Sequence, residues 1–175
     1  NFFYFNDKFK QKQTWTLVDK NPNLQQYIHR DIIKRNGNFE NLSILTSDFL
    51  SSTCPIYNQE YKLVLANAVF DLLTQDQFDQ LMKNFYKFNL IDPSTVFYFT
   101  LNINDKIFFN PREEEDQRVV EIFQQHMSVT EKTQKRMGVE CTDHIEKTFE
   151  KYGLKNLKGE SIWRIDPNDT EFLKY

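Results

Sequence analysis

The stretch "WTLVDKNPNL", Trp15 to Leu24, decides how this chain is read. Thr14 to Val18 is β-branched and aromatic, the composition of a buried strand. The run ends in Asp19, and Asn21-Pro22 then leads into a helical pattern, with Pro22 suited to a first helical turn. A carboxylate closing a buried strand adds little to packing. It is well placed to accept hydrogen bonds from a ligand.

Working outward, the same alternation repeats. Leu24, Ile28 and Ile32 fall at helical spacing in "NPNLQQYIHRDIIKRNG", which Gly37 can stop. "LSILTSDF" reads as a second strand, ending at Asp48, and "YKLVLANAVFDLL" opens as a third from Tyr61 to Ala66. Thr74 is an N-cap for a helix with Phe78, Leu81, Met82 and Phe85 on one face. "STVFYFTL" is a fourth strand, in which Tyr98 and Phe99 alternate as core positions. Asn104-Asp105 then suggests a turn into a short returning strand.

"PREEEDQRVVEIFQQHM" reads as a helix with acids in its first turn, where they suit the helix dipole. "CTDHIEKTFEKYG" reads as another, ended by Gly153. "LKNLKGESIWRID" closes as a hairpin around Lys158-Gly159. Before the deciding stretch, Phe2, Phe3, Phe5 and Phe9 with Tyr4 fit a helix. Strands alternating with helices predict an α/β fold: a mainly parallel, Rossmann-like sheet with helices on both faces and an antiparallel C-terminal hairpin.

Composition limits the possible functions. The chain has 175 residues, 39% of them hydrophobic, enough for one domain. A net charge of -3, with basic and acidic residues interspersed, gives no electrostatic footprint for nucleic acid or an anionic membrane. No apolar run approaches the roughly 20 residues of a membrane span, and "NFFYFNDKFK" is not a signal peptide. Cys54 and Cys141 lie far apart in dissimilar contexts, so a cytoplasmic setting is expected. His29, His126 and His144 are scattered and neither cysteine has a ligand-spaced neighbour, so no metal is expected. A hydrolase elbow and a Walker loop are both absent.

In open parallel sheets, ligands sit at the carboxyl ends of the strands. Three expected strands end there in polar groups: Asp19, Asp48 and Asn67. Asp19 suits the vicinal hydroxyls of a ribose, Asp48 an exocyclic adenine amine, and Phe49 the adenine ring. Asn67, just past an apolar strand, is a candidate cofactor contact. Each has a plainer use as well, since Asp and Asn start turns and cap helices.

The succession Asp19, Asp48, Asn67, then a helix and a strand, resembles the class I S-adenosylmethionine-dependent methyltransferases. "YGLKNLKGESIWRID" looks like that family's terminal reversed hairpin. The resemblance implies S-adenosylmethionine as cofactor and a small-molecule methyl acceptor, with neither nucleic acid nor a membrane as partner. It also implies a first strand and a Gly-rich loop, of which "NFFYF" resembles the sequel. That strand lies between those ending at Asp19 and Asn67, so residues 1–175 are expected to form one domain incomplete at its N-terminus. Four glycines in the chain, Gly37, Gly138, Gly153 and Gly159, leave no early Gly-rich loop.

Methyl transfer from a sulfonium needs positioning more than acid or base groups. His126 is the candidate base, expected to point inward with Val119, Ile122 and Phe123, and Asp71 is a second candidate lining the acceptor pocket. Two other readings remain: an oxidoreductase using a nicotinamide dinucleotide, whose ribose Asp19 would hold equally well, and a non-catalytic Rossmann-like interaction subunit.

Overall fold

The computed structural model describes residues 2–23, 26–28, 30, 39–88, 90–91, 94–101, 106–128 and 135–170. Among the described residues, strands lie at Gln13–Asp19 (β1), Phe39–Thr46 (β2), Leu63–Asn67 (β3) and Val96–Thr100 (β4). Fully described helices lie at Phe2–Lys8 (α1), Gln75–Lys87 (α2), Asp116–Ser128 (α3) and Cys141–Lys151 (α4). The fold is mixed α/β. After β1, residues 22, 23, 26–28 and 30 are helical as expected, while the expected continuation through Ile32 to Gly37 lies outside the described residues.

The strands form two separate sheets. β1 pairs with β2 in parallel, Trp15 opposite Leu42 and Asp19 opposite Thr46. β3 pairs with β4 in parallel, Leu63 opposite Val96 and Asn67 opposite Thr100. Among the described residues no ladder joins β1 to β3, the place where the resemblance implies a further strand. Side chains link the two halves instead: Gln59 Nε2 donates to Thr16 Oγ1 at 2.9 Å and to the Tyr61 hydroxyl at 2.9 Å.

Alternation along β4 puts helices on both faces of its sheet. Phe97 and Phe99 point one way, onto Phe85 of α2 and Phe149 of α4 at ring distances of 5.6 to 5.8 Å. Tyr98 points the other way, edge-on to Phe5 of α1 at 4.9 Å, and stays 44% exposed. Phe9, just past α1, lies 6.5 Å from Trp15 of β1.

The core gathers on the α2–α4 face. Phe78, Leu81, Met82 and Phe85 of α2 are all buried, as their spacing requires. Ile145 and Phe149 of α4 meet them, together with Phe70 and the 3₁₀ turn Pro55–Asn58, whose Ile56 and Tyr57 are buried. Asn84 is the large polar group inside. Its amide accepts from Gln80 at 2.8 Å and donates to the Leu50 carbonyl at 3.4 Å, so its burial carries little penalty.

Local chemistry sets the helix ends. Thr74 caps α2 in a reciprocal capping box: its Oγ1 accepts from Gln77 N at 3.2 Å, and Gln77 Oε1 accepts from Thr74 N at 2.9 Å. α4 ends at Gly153, whose φ of 69° is the left-handed turn that glycine tolerates. There Leu154 N donates to Phe149 O and Gly153 N to Glu150 O, the two bonds of a Schellman motif. α3 starts at Asp116 rather than near Pro111, so Glu113 to Glu115 precede the helix, with Glu113 N donating to Asp116 Oδ2.

Two expectations fail. The C-terminal antiparallel hairpin is not formed: residues 154–166 carry no strand, and all but Leu154 are exposed. A strand needs a face to bury, and residues 155–166 are exposed throughout. Contacts at its margin hold it, Lys158 to Glu146 at 3.2 Å and Asn156 Nδ2 to the Glu146 carbonyl. The returning strand after β4 is also absent where it is described, at residues 106–109, while the turn at Asn104-Asp105 lies outside the described residues. Among the described residues no helix is long and apolar enough to cross a membrane.

The cap and the core make separable contributions to stability. Thr74→Ala is expected to lower the unfolding free energy by about 1 kcal/mol and Phe78→Ala by about 3–5 kcal/mol. Urea titration of each variant checks this as a lower midpoint at unchanged slope.

Candidate functional site

Asp19 and Asp48 come together at the carboxyl edge of the β1–β2 sheet. Asp19 is the last residue of β1, and its carbonyl accepts from Ser47 N at 3.0 Å, which sets Asp48 beside it. β2 itself ends at Thr46, so Asp48 sits on the turn beyond the strand. Both aspartates are exposed.

Each aspartate builds its own turn. Asp19 Oδ1 accepts from Asn21 N at 2.7 Å, and Asn21 Oδ1 accepts from Asn23 N at 3.0 Å, which makes Asn21 the cap of the helical residues that begin at Pro22. Asp48 Oδ1 accepts from Leu50 N at 2.9 Å, and its carbonyl accepts from Ser51 N. The plainer use of both residues is therefore realised. In each carboxylate one oxygen is occupied by the turn, and Oδ2 takes no hydrogen bond among the described residues.

The space at Asp19 is small. A cavity of about 30 Å³ lies among Leu17, Val18, Asp19, Asn21, Ile28, Ile44 and Leu45. That volume holds about one water molecule, whereas ligand pockets run to several hundred Å³. Phe49 is half-buried against the core, and its carbonyl accepts from the Tyr57 hydroxyl at 2.5 Å, so its ring faces the core cluster.

Asn67 closes β3 on the other sheet. It is exposed, and its Oδ1 accepts from Thr100 Oγ1 at 2.7 Å across the ladder. The next residue, Ala68, has φ of 50°, and its N–H donates to the Thr100 carbonyl at 2.8 Å. A non-glycine residue held left-handed costs about 1–2 kcal/mol, and such positions gather at functional sites. Sequence reading misses Ala68, because alanine gives no signal for that conformation.

Asp71 lies in the 3₁₀ turn Phe70–Leu72 that follows β3. It is buried, and its Oδ1 has no hydrogen-bond partner. Its carboxylate is close enough to the Cys141 thiol, at the start of α4, to oppose ionisation there. His126, by contrast, does not point inward. It is exposed on α3, as are Val119 at 52% and Ile122 at 56%; the half-buried positions are Val120, Phe123, Gln124 and Met127. Of the residues the spacing groups with His126, Phe123 is half-buried, while Val119 and Ile122 face solvent with His126.

His144 has a role the sequence leaves open. Its Nε2 lies 2.9 Å from Asp79 Oδ1, which also accepts from Thr148 Oγ1 at 3.4 Å, so the pair clasps α4 to α2. These residues are 65 positions apart, and no local pattern announces them. Among the described residues no three His, Cys, Asp or Glu side chains converge as metal ligands.

Burial, and secondarily the Asp71 carboxylate, push the Cys141 thiol up to about 12 from 9.0. Burial likewise raises Tyr57, Tyr61, Tyr86 and Tyr152. A raised pKa in the folded state means that the neutral form is the one stabilised. That contribution is complete below pH 9 and is lost as pH rises toward 12; three pH units for Cys141 correspond to at most about 4 kcal/mol. Cys141→Ala is expected to be less stable at pH 7, where it leaves a small void, and to lose stability less steeply between pH 9 and 12. Urea midpoints across that range check the slope.

No protein-family model matches this chain, and neither does a curated protein or a solved structure.

Proposed function

We propose that this chain carries the nucleoside-binding half of an S-adenosylmethionine-dependent methyltransferase with a Rossmann-like fold, acting on a small-molecule acceptor. The observation that carries the reading is the pair of exposed carboxylates, Asp19 and Asp48, at the carboxyl ends of two adjacent parallel strands. Ligands of open α/β sheets bind at that edge. Each carboxylate is oriented by a backbone N–H from its own turn, which leaves Oδ2 to accept from a ligand. In this reading Asp19 receives the ribose hydroxyls and Asp48 the adenine amine.

The break between β1 and β3 belongs to the same reading. A parallel strand and Gly-rich loop there would bring backbone N–H groups to the amino-acid end of the cofactor and deepen the 30 Å³ cavity at Asp19 into a pocket. Asn67 and the left-handed Ala68 would form the facing wall. S-adenosylmethionine, when bound, would supply an electrophilic methyl group, and a base would be needed only for an acceptor that must lose a proton. Asp71, buried and with Oδ1 unpartnered among the described residues, would be the base on that side in this reading. His126, exposed on α3, fits that role less well.

A nicotinamide dinucleotide would use Asp19 equally well and would leave Asp48 without a role, which is why the methyltransferase reading is preferred. Calorimetric titration of S-adenosylhomocysteine into the full natural polypeptide tests the proposal. Micromolar binding is expected, weakened by ~1–3 kcal/mol in Asp19→Ala, the scale of losing a charged hydrogen-bond acceptor. No heat with the intact protein, or heat only with a nicotinamide dinucleotide, overturns it. In that case Asp19 holds another cofactor or only its turn.

A further inference from the structure

α2 and α4 meet along a seam that both describe with the same order of contacts. Asp79 Oδ1 lies 2.9 Å from His144 Nε2 and accepts from Thr148 Oγ1 at 3.4 Å. One turn and a half further along, the Tyr86 hydroxyl donates to the Tyr152 carbonyl at 2.6 Å, and the two rings stack at 4.0 Å. The two helices therefore run parallel, with their carboxyl ends together.

Helical spacing sets lysines along both sides of this seam. On α2, Lys83 follows Asp79 by four residues and Lys87 follows Lys83 by four; on α4, Lys147 follows His144 by three and Lys151 follows Lys147 by four. All four are exposed, and none makes an ion pair among the described residues. The acids of this stretch are engaged or turned away. Asp79 holds His144 and Thr148, and Glu146 holds Lys158 at 3.2 Å. Glu150 lies about a quarter turn round α4 from Lys151, on the side away from α2. Two of the ammonium groups are aimed by rings: Lys87 Nζ lies 5.3 Å over Phe88 and Lys151 Nζ 6.0 Å over Tyr152.

The ordinary use of lysine near a helix carboxyl end is to complement the dipole, and Lys87 and Lys151, in the last turns, do so. Lys83 and Lys147 lie a turn earlier, beyond the reach of that effect. Each also sets a like charge four residues from the next, which weakens a helix. The seam thus carries a row of positive charge that the chain does not itself neutralise. Its lysines repeat at about 6 Å along each helix axis, which matches carboxylates two residues apart on an extended peptide or four apart on a helical one. A net charge of -3 opposes the approach of a long polyanion such as nucleic acid, and a short acidic segment is opposed far less. We propose that the α2–α4 seam docks an acidic segment of a partner protein, with its carboxylates set against Lys83, Lys87, Lys147 and Lys151.

The experiment is fluorescence anisotropy of a labelled oligoglutamate peptide titrated with the 175-residue chain, with far-UV circular dichroism of every variant as a folding control. Saturable binding is expected, weaker at higher ionic strength, as contacts between exposed charges require. Each single Lys→Gln at the four positions should weaken it about threefold, the scale of one exposed ion pair, and the quadruple variant should abolish it. Lys10→Gln with Lys12→Gln, which removes the same kind of charge elsewhere on the surface, should leave it unchanged. Absence of saturable binding overturns the proposal. So does a quadruple variant that binds like wild type, or equal loss in the Lys10 and Lys12 variant. A single-stranded oligonucleotide of equal charge that binds more tightly also overturns it, and assigns the seam to nucleic acid. The proposal is independent of the methyltransferase reading, since it uses neither Asp19 nor any cofactor.

Discussion

The rest of the structure depends on the alternation of three aromatic residues in β4. Phe97 and Phe99 turn to one side and gather α2 and α4 around them, while Tyr98 turns to the other and meets α1. The first face is packed under α2 and α4, while the second stays partly open, with Val96 55% and Tyr98 44% exposed. Phe70 extends the same cluster from the end of β3, 4.5 Å from Phe99 and 5.1 Å from Phe78. The abundance of phenylalanine in this chain is therefore a packing device. It holds β3, β4, α2 and α4 together around one aromatic cluster.

That asymmetry bears on the candidate site. β1 and β2 reach the common core through Val18 and Leu45, which are only half-buried. Trp15 is the buried residue of β1, and its neighbour is the aromatic end of α1 rather than the main cluster. The strand pair that carries Asp19 and Asp48 is thus held by its own ladder, by Gln59 reaching Thr16, and by ring contacts on one side. Parallel two-stranded ladders are weak by themselves. A third strand along β1 would strengthen the sheet and enlarge the cavity at Asp19 together, so stability and binding at this edge rise from the same addition.

What the sequence made legible follows from how local each signal is. The β-branched and aromatic runs marked the four described strands, because those residue types concentrate in strands. Thr74 as an N-cap and the glycine at 153 marked helix ends, because their bonds close within a few residues. His126 shows the limit. Helical spacing groups it correctly with Val119 and Ile122 but cannot say whether that face meets protein or water, which depends on elements distant in sequence. The Asp79–His144 clasp and the separation into two sheets are nonlocal in the same way. The hairpin expected around Lys158-Gly159 meets the same limit: a turn signal is local, whereas the face a strand must bury is not.

The two aspartates illustrate why a turn role and a ligand role are not alternatives. A carboxylate left wholly to solvent samples many rotamers, and binding a ligand would have to order it. Asp19 and Asp48 are already ordered, each by one short bond from a backbone N–H two residues on. The same bond that makes the turn fixes the direction of the second oxygen, and it leaves that oxygen at the edge where ligands of parallel sheets bind. Replacing either aspartate by asparagine keeps the turn, since the amide oxygen accepts the same backbone bond, but puts an NH₂ where the free oxygen was. Turn and ligand functions thus separate in that substitution, whereas alanine removes both. An effect on binding that appears with asparagine belongs to the ligand role alone.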